Sequence, residues 1–254
     1  MNVARAVDDN LAWHASHLHR SAPGMRVLAS GDVLVCDSGL PDDTFNIVAA
    51  ARFGGDAEAR VAETLALVRS TSRPFTWWVG PSSTPAGLSD RLLAAGLPVG
   101  ERELAMWCRP GPRPVDRAVR VVSTPVELAE WASVVAANWS PPSQTVVEFF
   151  ARTAPWALAA DSPARYLVGY EDGRAVAAAE LCLRSGVAGF YNVCTLASHR
   201  RQGWANALLG FGLTLAADED CHTAILQAAL DAVTVYERLG FTPLGDVTEH
   251  AIRP

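Results

Sequence analysis

Lysine is missing from the chain: all 21 positive charges are arginines, set against 27 acids for a formal net charge of −6. The arginines form no basic run, and a nucleic-acid surface needs a continuous strip of positive charge facing phosphates, so nucleic acid is excluded as a partner. The acid excess favours an amine-bearing partner instead. Membrane-spanning helices need about 18 or more consecutive apolar residues, and no such run occurs. Cysteine is scarce and widely spaced. Cys36, Cys108, Cys182, Cys194 and Cys221 show neither a disulfide framework nor metal-ligand spacing, so we read them as reduced thiols and expect no metal. The first residues, MNVARAVDDNLAWHASHLHR, carry acids and three histidines where a signal peptide needs an apolar stretch. A cytoplasmic protein with no membrane partner is expected.

What is present is ample core material, with half of the residues hydrophobic and 19% charged. A length of 254 residues leans toward two domains. The best linker is CRPGPRPVDR, Cys108 to Arg117, which packs three prolines and a glycine between two strand-like stretches. It predicts a first lobe over 1–110, a linker over 111–117 and a second lobe over 118–254.

Beyond the linker, VELAEWASVVAANW and TVVEFFARTAPWALAA have helical spacing, and YLVGYEDGRAVAAAELCLRSGVAGFYNVCT reads as three strands turning at Glu171-Asp172-Gly173 and Ser185-Gly186. GWANALLGFGLTLAADED then sets Trp204, Leu208, Phe211 and Leu215 on one helical face; TAILQA is strand-like and DAVTVYERLG a short helix ending in glycine. The predicted order is βααβββαβαβ. A weaker echo precedes the linker: Phe45-Asn46-Ile47-Val48 parallels Tyr191-Asn192-Val193-Cys194, followed by a helix over 56–70, the strand PFTWWVG and the helix LSDRLLAAGL. The intervals nearly agree, 50 positions from Asn46 to Gly96 and 48 from Asn192 to Gly240. Duplication of one unit explains this; coincidence of a common strand-helix order is the alternative.

The segment YNVCTLASHRRQGWA ends a strand, crosses a short polar loop and starts a helix at glycine. The first N–H groups of a helix lack internal partners and carry partial positive charge, so such a start can hold a phosphate. Gly203 lets backbone approach a ligand, and Arg200 and Arg201 add charge that a pyrophosphate rewards. An ordinary helix start with exposed arginines has the same local sequence.

Arg200-Arg201-Gln202-Gly203-Trp204-Ala205 resembles the (Q/R)xxGx(G/A) loop of the GNAT acyltransferase superfamily, and Val235-Tyr236-Glu237-Arg238-Leu239-Gly240-Phe241 resembles that family's closing motif. The two motifs occur in family order over roughly Val119 to Pro254. The first lobe lacks the loop: Arg52-Phe53-Gly54-Gly55-Asp56 offers an acid at the helix start, which repels a pyrophosphate. That lobe resembles the degenerate lobe of tandem GNAT proteins and is expected to bind no cofactor.

The resemblance implies an α/β (α+β) fold of two GNAT-like lobes, each a mixed, mostly antiparallel sheet flanked by helices. It implies acetyl-CoA as co-substrate, held by Val193, Cys194 and Thr195 through backbone and by Arg200, Arg201, Gln202, Gly203, Trp204, Ala205 and Asn206. It implies an N-acetyltransferase in which a substrate amine attacks the thioester directly, with a small-molecule amine or peptide terminus as acceptor and a monomer or homodimer as the assembly. Tyr236 aligns with the tyrosine that protonates the departing thiolate. Glu180, the acid within AVAAAELCL, is the candidate base, with an exposed strand position as its other reading and Tyr191 and Asn192 as polar alternatives. Cys194, without a suggested histidine partner, is packing rather than nucleophile. Ala229 stands where many members carry a cofactor-contacting asparagine, which removes one contact. Trp77, Trp78 and Trp107 are either core filler or walls of the acceptor cleft. The competing class is a non-catalytic acyl-CoA-binding sensor or interaction module.

Overall fold

The structure, a computed structural model, describes residues 2–254. The chain divides into two compact units. One comprises Met1–Met106 with Gln227–Asp231 and Pro243–Pro254, the other Trp107–Leu226 with Ala232–Thr242.

The first unit begins with helix α1 (Val3–Ser16), whose N-cap Asn2 accepts a hydrogen bond from the Arg5 N–H. Then come strands β1 (Arg26–Ser30), β2 (Val33–Asp37) and β3 (Ile47–Ala49), helix α2 (Ala57–Arg69), strand β4 (Phe75–Val79), helix α3 (Leu88–Ala94) and strand β5 (Val99–Cys108). The chain's last strand, β11 (Thr242–Ile252), completes this sheet, whose order is β1-β2-β3-β4-β11-β5. β1–β2, β2–β3 and β4–β11 pair antiparallel, and β3–β4 pair parallel. Val48, Phe75 and Trp77 point from the sheet onto Val61, Leu65 and Val68 of α2 and Leu88 and Leu92 of α3.

The sequence alone assigns the closing strand to the second lobe, whereas the compact units assign Pro243–Pro254 to the first. Side-chain anchoring explains it. β11 pairs with β4 from Thr248–Val79 to Ile252–Phe75, and Ile252 enters the core of that unit. The fully buried His250 meets the Ser89 hydroxyl at 2.7 Å and the Leu97 carbonyl at 3.1 Å. The helix α1 and the β1–β2 hairpin, absent from the sequence reading, precede the first strand it recognised.

In the second unit, β6 (Val119–Val121) leads into helices α4 (Pro125–Ala136) and α5 (Gln144–Ala157). Strands β7 (Ala164–Glu171), β8 (Arg174–Arg184) and β9 (Val187–Thr195), helix α6 (Trp204–Asp218), strand β10 (Thr223–Ala229) and helix α7 (Val233–Arg238) follow. With β11, this is the predicted βααβββαβαβ order element for element. The sheet runs β6-β7-β8-β9-β10, antiparallel except between β9 and β10. Both predicted hairpin turns form: Asp172-Gly173 and Ser185-Gly186 each place two consecutive residues at positive φ, the geometry that matches strand twist. Each unit is therefore a mixed, mostly antiparallel sheet flanked by helices, and β2-β3-α2-β4 repeats the strand directions of β8-β9-α6-β10.

Local chemistry fixes the helices of this unit. Thr124 and Glu127 form a capping box at the start of α4, with Pro125 at its first position. On that face Trp131 meets Phe150 and Tyr166 edge to face at 4.7 and 4.9 Å and donates its indole N–H to the Ala179 carbonyl. On the other face Trp204, Leu208, Phe211 and Leu215 of α6 cover Leu167, Ala177 and Ala179, the helical face read from the sequence. Among the described residues no helix is long and apolar enough to cross a membrane.

Candidate functional site

The site is built around an irregularity in β9. Glu180 of β8 faces Tyr191 and Ala178 faces Cys194, so Ala179 alone spans Asn192 and Val193, a β-bulge. Asn192 takes the left-handed conformation, φ 53°, which asparagine tolerates better than most residues. That conformation costs about 1–2 kcal/mol. Asn192 Nδ2 donates to Glu180 Oε2 at 3.0 Å, and such a bond returns about 0.5–1.5 kcal/mol, more with a charged acceptor. The bond is thus large enough to offset the strain.

Past the bulge the strand edge changes character. The parallel register of β9 with β10 runs from Val187–Thr223 to Phe190–Leu226 and stops before Tyr191. Leu196 donates its N–H to Val176 of β8. Strand alternation then turns the N–H of Cys194 toward β8 and those of Val193 and Thr195 away from it. Their side chains divide differently: Val193 packs toward α6, while Cys194 Sγ lies 3.9 Å from the Val134 carbonyl of α4.

The chain leaves β9 through a single 3-10 turn, Ala197–His199, into the arginine loop. The Arg200 Nε–H donates to the Thr195 carbonyl at 3.1 Å, and the Gln202 side chain donates to the Ser198 carbonyl at 3.3 Å. Arg201 sits at φ 61° and Gly203 at φ 87°. Gly203 is the N-cap of α6 and supplies no side-chain cap, and no acid stands in the first turn. The opening N–H groups of α6, at Trp204, Ala205 and Asn206, are therefore left for an external acceptor. α2 of the first unit is the opposite case: Asp56 caps it through the Ala59 N–H and Glu58 adds a second carboxylate.

Tyr236 is on α7, buried to 9% exposure. Its ring meets Phe241 at 6.2 Å, and Phe241 in turn meets Phe190 of β9 at 6.3 Å, so an aromatic chain ties α7 to the strand. Glu180 is 1% exposed and lies on the α4–α5 face, paired across β7–β8 with Tyr166. Burial, reinforced by Glu180 and Cys182, raises the Tyr166 phenol well above its ordinary range. Burial also pushes the Cys194 thiol up to about 11, against hydrogen bonds from Asn138 and Ala178. That thiol stays protonated at neutral pH and is a poor nucleophile.

The sequence-predicted residues thus occupy one unit: Val193 to Thr195 on the bulged strand, Arg200 to Asn206 at the helix start, Tyr236 on α7 and Glu180 inside the sheet. Ala229 is exposed at the end of β10. Trp77 is fully buried in the first unit's core and is a packing residue. Sequence reasoning missed Arg117, whose guanidinium lies over the Trp204 ring at 4.8 Å, and Glu171, which pairs with Arg117 at 3.6 Å and with His199 at 3.2 Å. No local pattern links these residues; only the course of β6 and β7 brings them to the loop. Among the described residues no His/Cys/Asp/Glu group able to hold a metal ion occurs, and none of the five cysteines forms a disulfide.

Residues 128–241 match the Acetyltransferase (GNAT) family. A GCN5-related N-acetyltransferase from Kribbella flavida is similar in structure, with a TM-score of 0.70 at 21% identity over 99% of this chain and 96% of that one. A tandem GNAT protein from the clavulanic acid biosynthesis pathway gives 0.62 at 15% identity over 98% and 94%. A GCN5-related N-acetyltransferase from Sphaerobacter thermophilus gives 0.56 at 13% over 99% and 92%. At these identities the likeness is one of fold.

Proposed function

We propose that the chain, whose residues 128–241 match the Acetyltransferase (GNAT) family, transfers an acetyl group from acetyl-CoA directly to an amine. The observation that carries the reading is the uncapped, glycine-started α6 that follows, across the 3-10 turn and the arginine loop, a strand whose Val193 and Thr195 N–H groups face away from β8. The residues fit the co-substrate. The α6 N–H groups and the charges of Arg200 and Arg201 suit a pyrophosphate, and the β9 edge suits an extended amide-bearing arm. Asp56 at the start of α2 supports the reading that the first unit holds no such group.

Acetyl-CoA supplies the acetyl group as an activated thioester. A Val193 or Thr195 N–H donates to the carbonyl oxygen as negative charge develops there. The amine nitrogen forms its bond to the carbonyl carbon while the carbon–sulfur bond breaks. Tyr236 gives its phenolic proton to the departing sulfur and recovers one through solvent from the acylated nitrogen. The acceptor is a small amine or a peptide terminus, in keeping with the net charge of −6, and the protein works in the cytoplasm.

The test is calorimetric titration with acetyl-CoA beside a thiol-release assay over a panel of amines. Micromolar binding with amine-dependent release supports the proposal. Binding without release favours an acyl-CoA sensor, and absence of binding refutes the reading.

A further inference from the structure

The Glu180–Asn192 pair assigns Glu180 a task other than proton transfer. A base must reach the amine, but Glu180 is 1% exposed, lies on the α4–α5 face of the sheet, and receives a hydrogen bond from Asn192 Nδ2 at 3.0 Å. Asn192 is the left-handed residue of the β9 bulge, φ 53°. The register shift at that bulge fixes which later N–H groups turn from β8, because inserting one residue reverses the alternation of everything downstream. Neighbouring parallel pairing cannot enforce the bulge, since the β9–β10 register ends at Phe190–Leu226. The side-chain bond therefore has the controlling position.

We infer that Glu180 is a positioning residue: through Asn192 it holds the bulge that aims the Val193 and Thr195 N–H groups along the open edge of β9. The inference rests on the proposed acetyl-CoA reading for its catalytic consequence, but the brace itself is a property of the ligand-free protein.

Three variants test it. Glu180→Gln keeps an oxygen that accepts from Asn192 and cannot act as a base, so kcat is expected to fall no more than about threefold. Glu180→Ala removes the acceptor, and kcat is expected to fall about thirtyfold or more with the acetyl-CoA Kd changed far less. Glu180→Ala combined with Asn192→Gly is expected to recover much of that loss, because glycine adopts positive φ without a brace. Amide hydrogen exchange at Cys194 and Leu196, whose N–H groups face β8, needs no activity and in the ligand-free protein is expected to quicken in Glu180→Ala and not in Glu180→Gln. Failure of the acetyl-CoA reading leaves this exchange pattern intact. If Glu180→Gln is as inactive as Glu180→Ala while its exchange is unchanged, Glu180 is a base. If exchange is the same in all variants, no brace exists; either result overturns the inference.

Discussion

The guanidinium of Arg117 lies over the indole of Trp204, 4.8 Å from the ring centroid, at the start of α6. Its Nε is buried without a hydrogen-bond partner among the described residues, and it stands 3.6 Å from where a Cβ on Gly203 would be. Glu171 neutralises only part of this charge, at 3.6 Å and partly exposed. Arg117 therefore adds a cation beside the helix N-terminus that the loop motif does not include. Arg117→Ala is expected to weaken acetyl-CoA binding about tenfold at low salt, and less at high salt, as read by calorimetry. An unchanged Kd would reduce Arg117 to a packing residue.

Tyr236→Phe keeps the ring that packs on Phe241 and removes only the hydroxyl. We expect kcat to drop about a hundredfold or more, with acetyl-CoA affinity and melting temperature little altered. Turnover within a few-fold of the parent would dismiss Tyr236 as the acid.

Two glycines test how the loop is held. A Cβ on Gly169 would lie 2.7 Å from Cε3 and Cζ3 of Trp204, a rigid ring that cannot swing aside cheaply. Gly169→Ala is expected to cost about 1–3 kcal/mol in urea unfolding and to weaken cofactor binding by displacing Trp204. Gly203 has space for a methyl group but sits at φ 87°. Gly203→Ala should cost about 1–2 kcal/mol through backbone strain alone. Equal stability of both variants with the parent would contradict the packing described above.

The first unit carries a pH signature. Burial, then repulsion from Glu103, raises Glu249 to about 8, and burial, then Glu101, raises Glu103 to about 7. Native protein then binds more protons than unfolded protein between the ordinary carboxyl range and these values, so stability falls as pH rises through that window. The melting temperature is expected to be higher at about pH 6 than at about pH 9, and Glu249→Gln to flatten that difference. A melting curve that rises with pH in the parent would refute it.

Much of the second unit was legible because its signals are local. Asp172-Gly173 and Ser185-Gly186 announce hairpins through conformations that glycine and short polar residues accept, and the spacing of Trp204, Leu208, Phe211 and Leu215 announces a buried helical face. The arginine-glycine loop and Tyr236 were legible as motifs for the same reason. α1 was not, because it buries Asp8 and Asn10 beside Val7 and Leu11, which blurs the apolar stripe. Asp8 is read only through distant partners: it accepts from the Ser82 N–H at 3.0 Å and hydroxyl at 2.7 Å.

By itself the sequence determined the element order, the helix start at Gly203 and the tyrosine of α7, since each depends on conformational preferences within a few residues. Tertiary structure alone decided that β11 closes the first unit's sheet, that Arg117 and Glu171 meet the loop, and that Glu180 faces Asn192 rather than solvent. Those outcomes turn on strand pairing and burial between residues far apart in the chain. No local preference encodes which of several apolar edges a strand will join, or which buried donor a carboxylate will find.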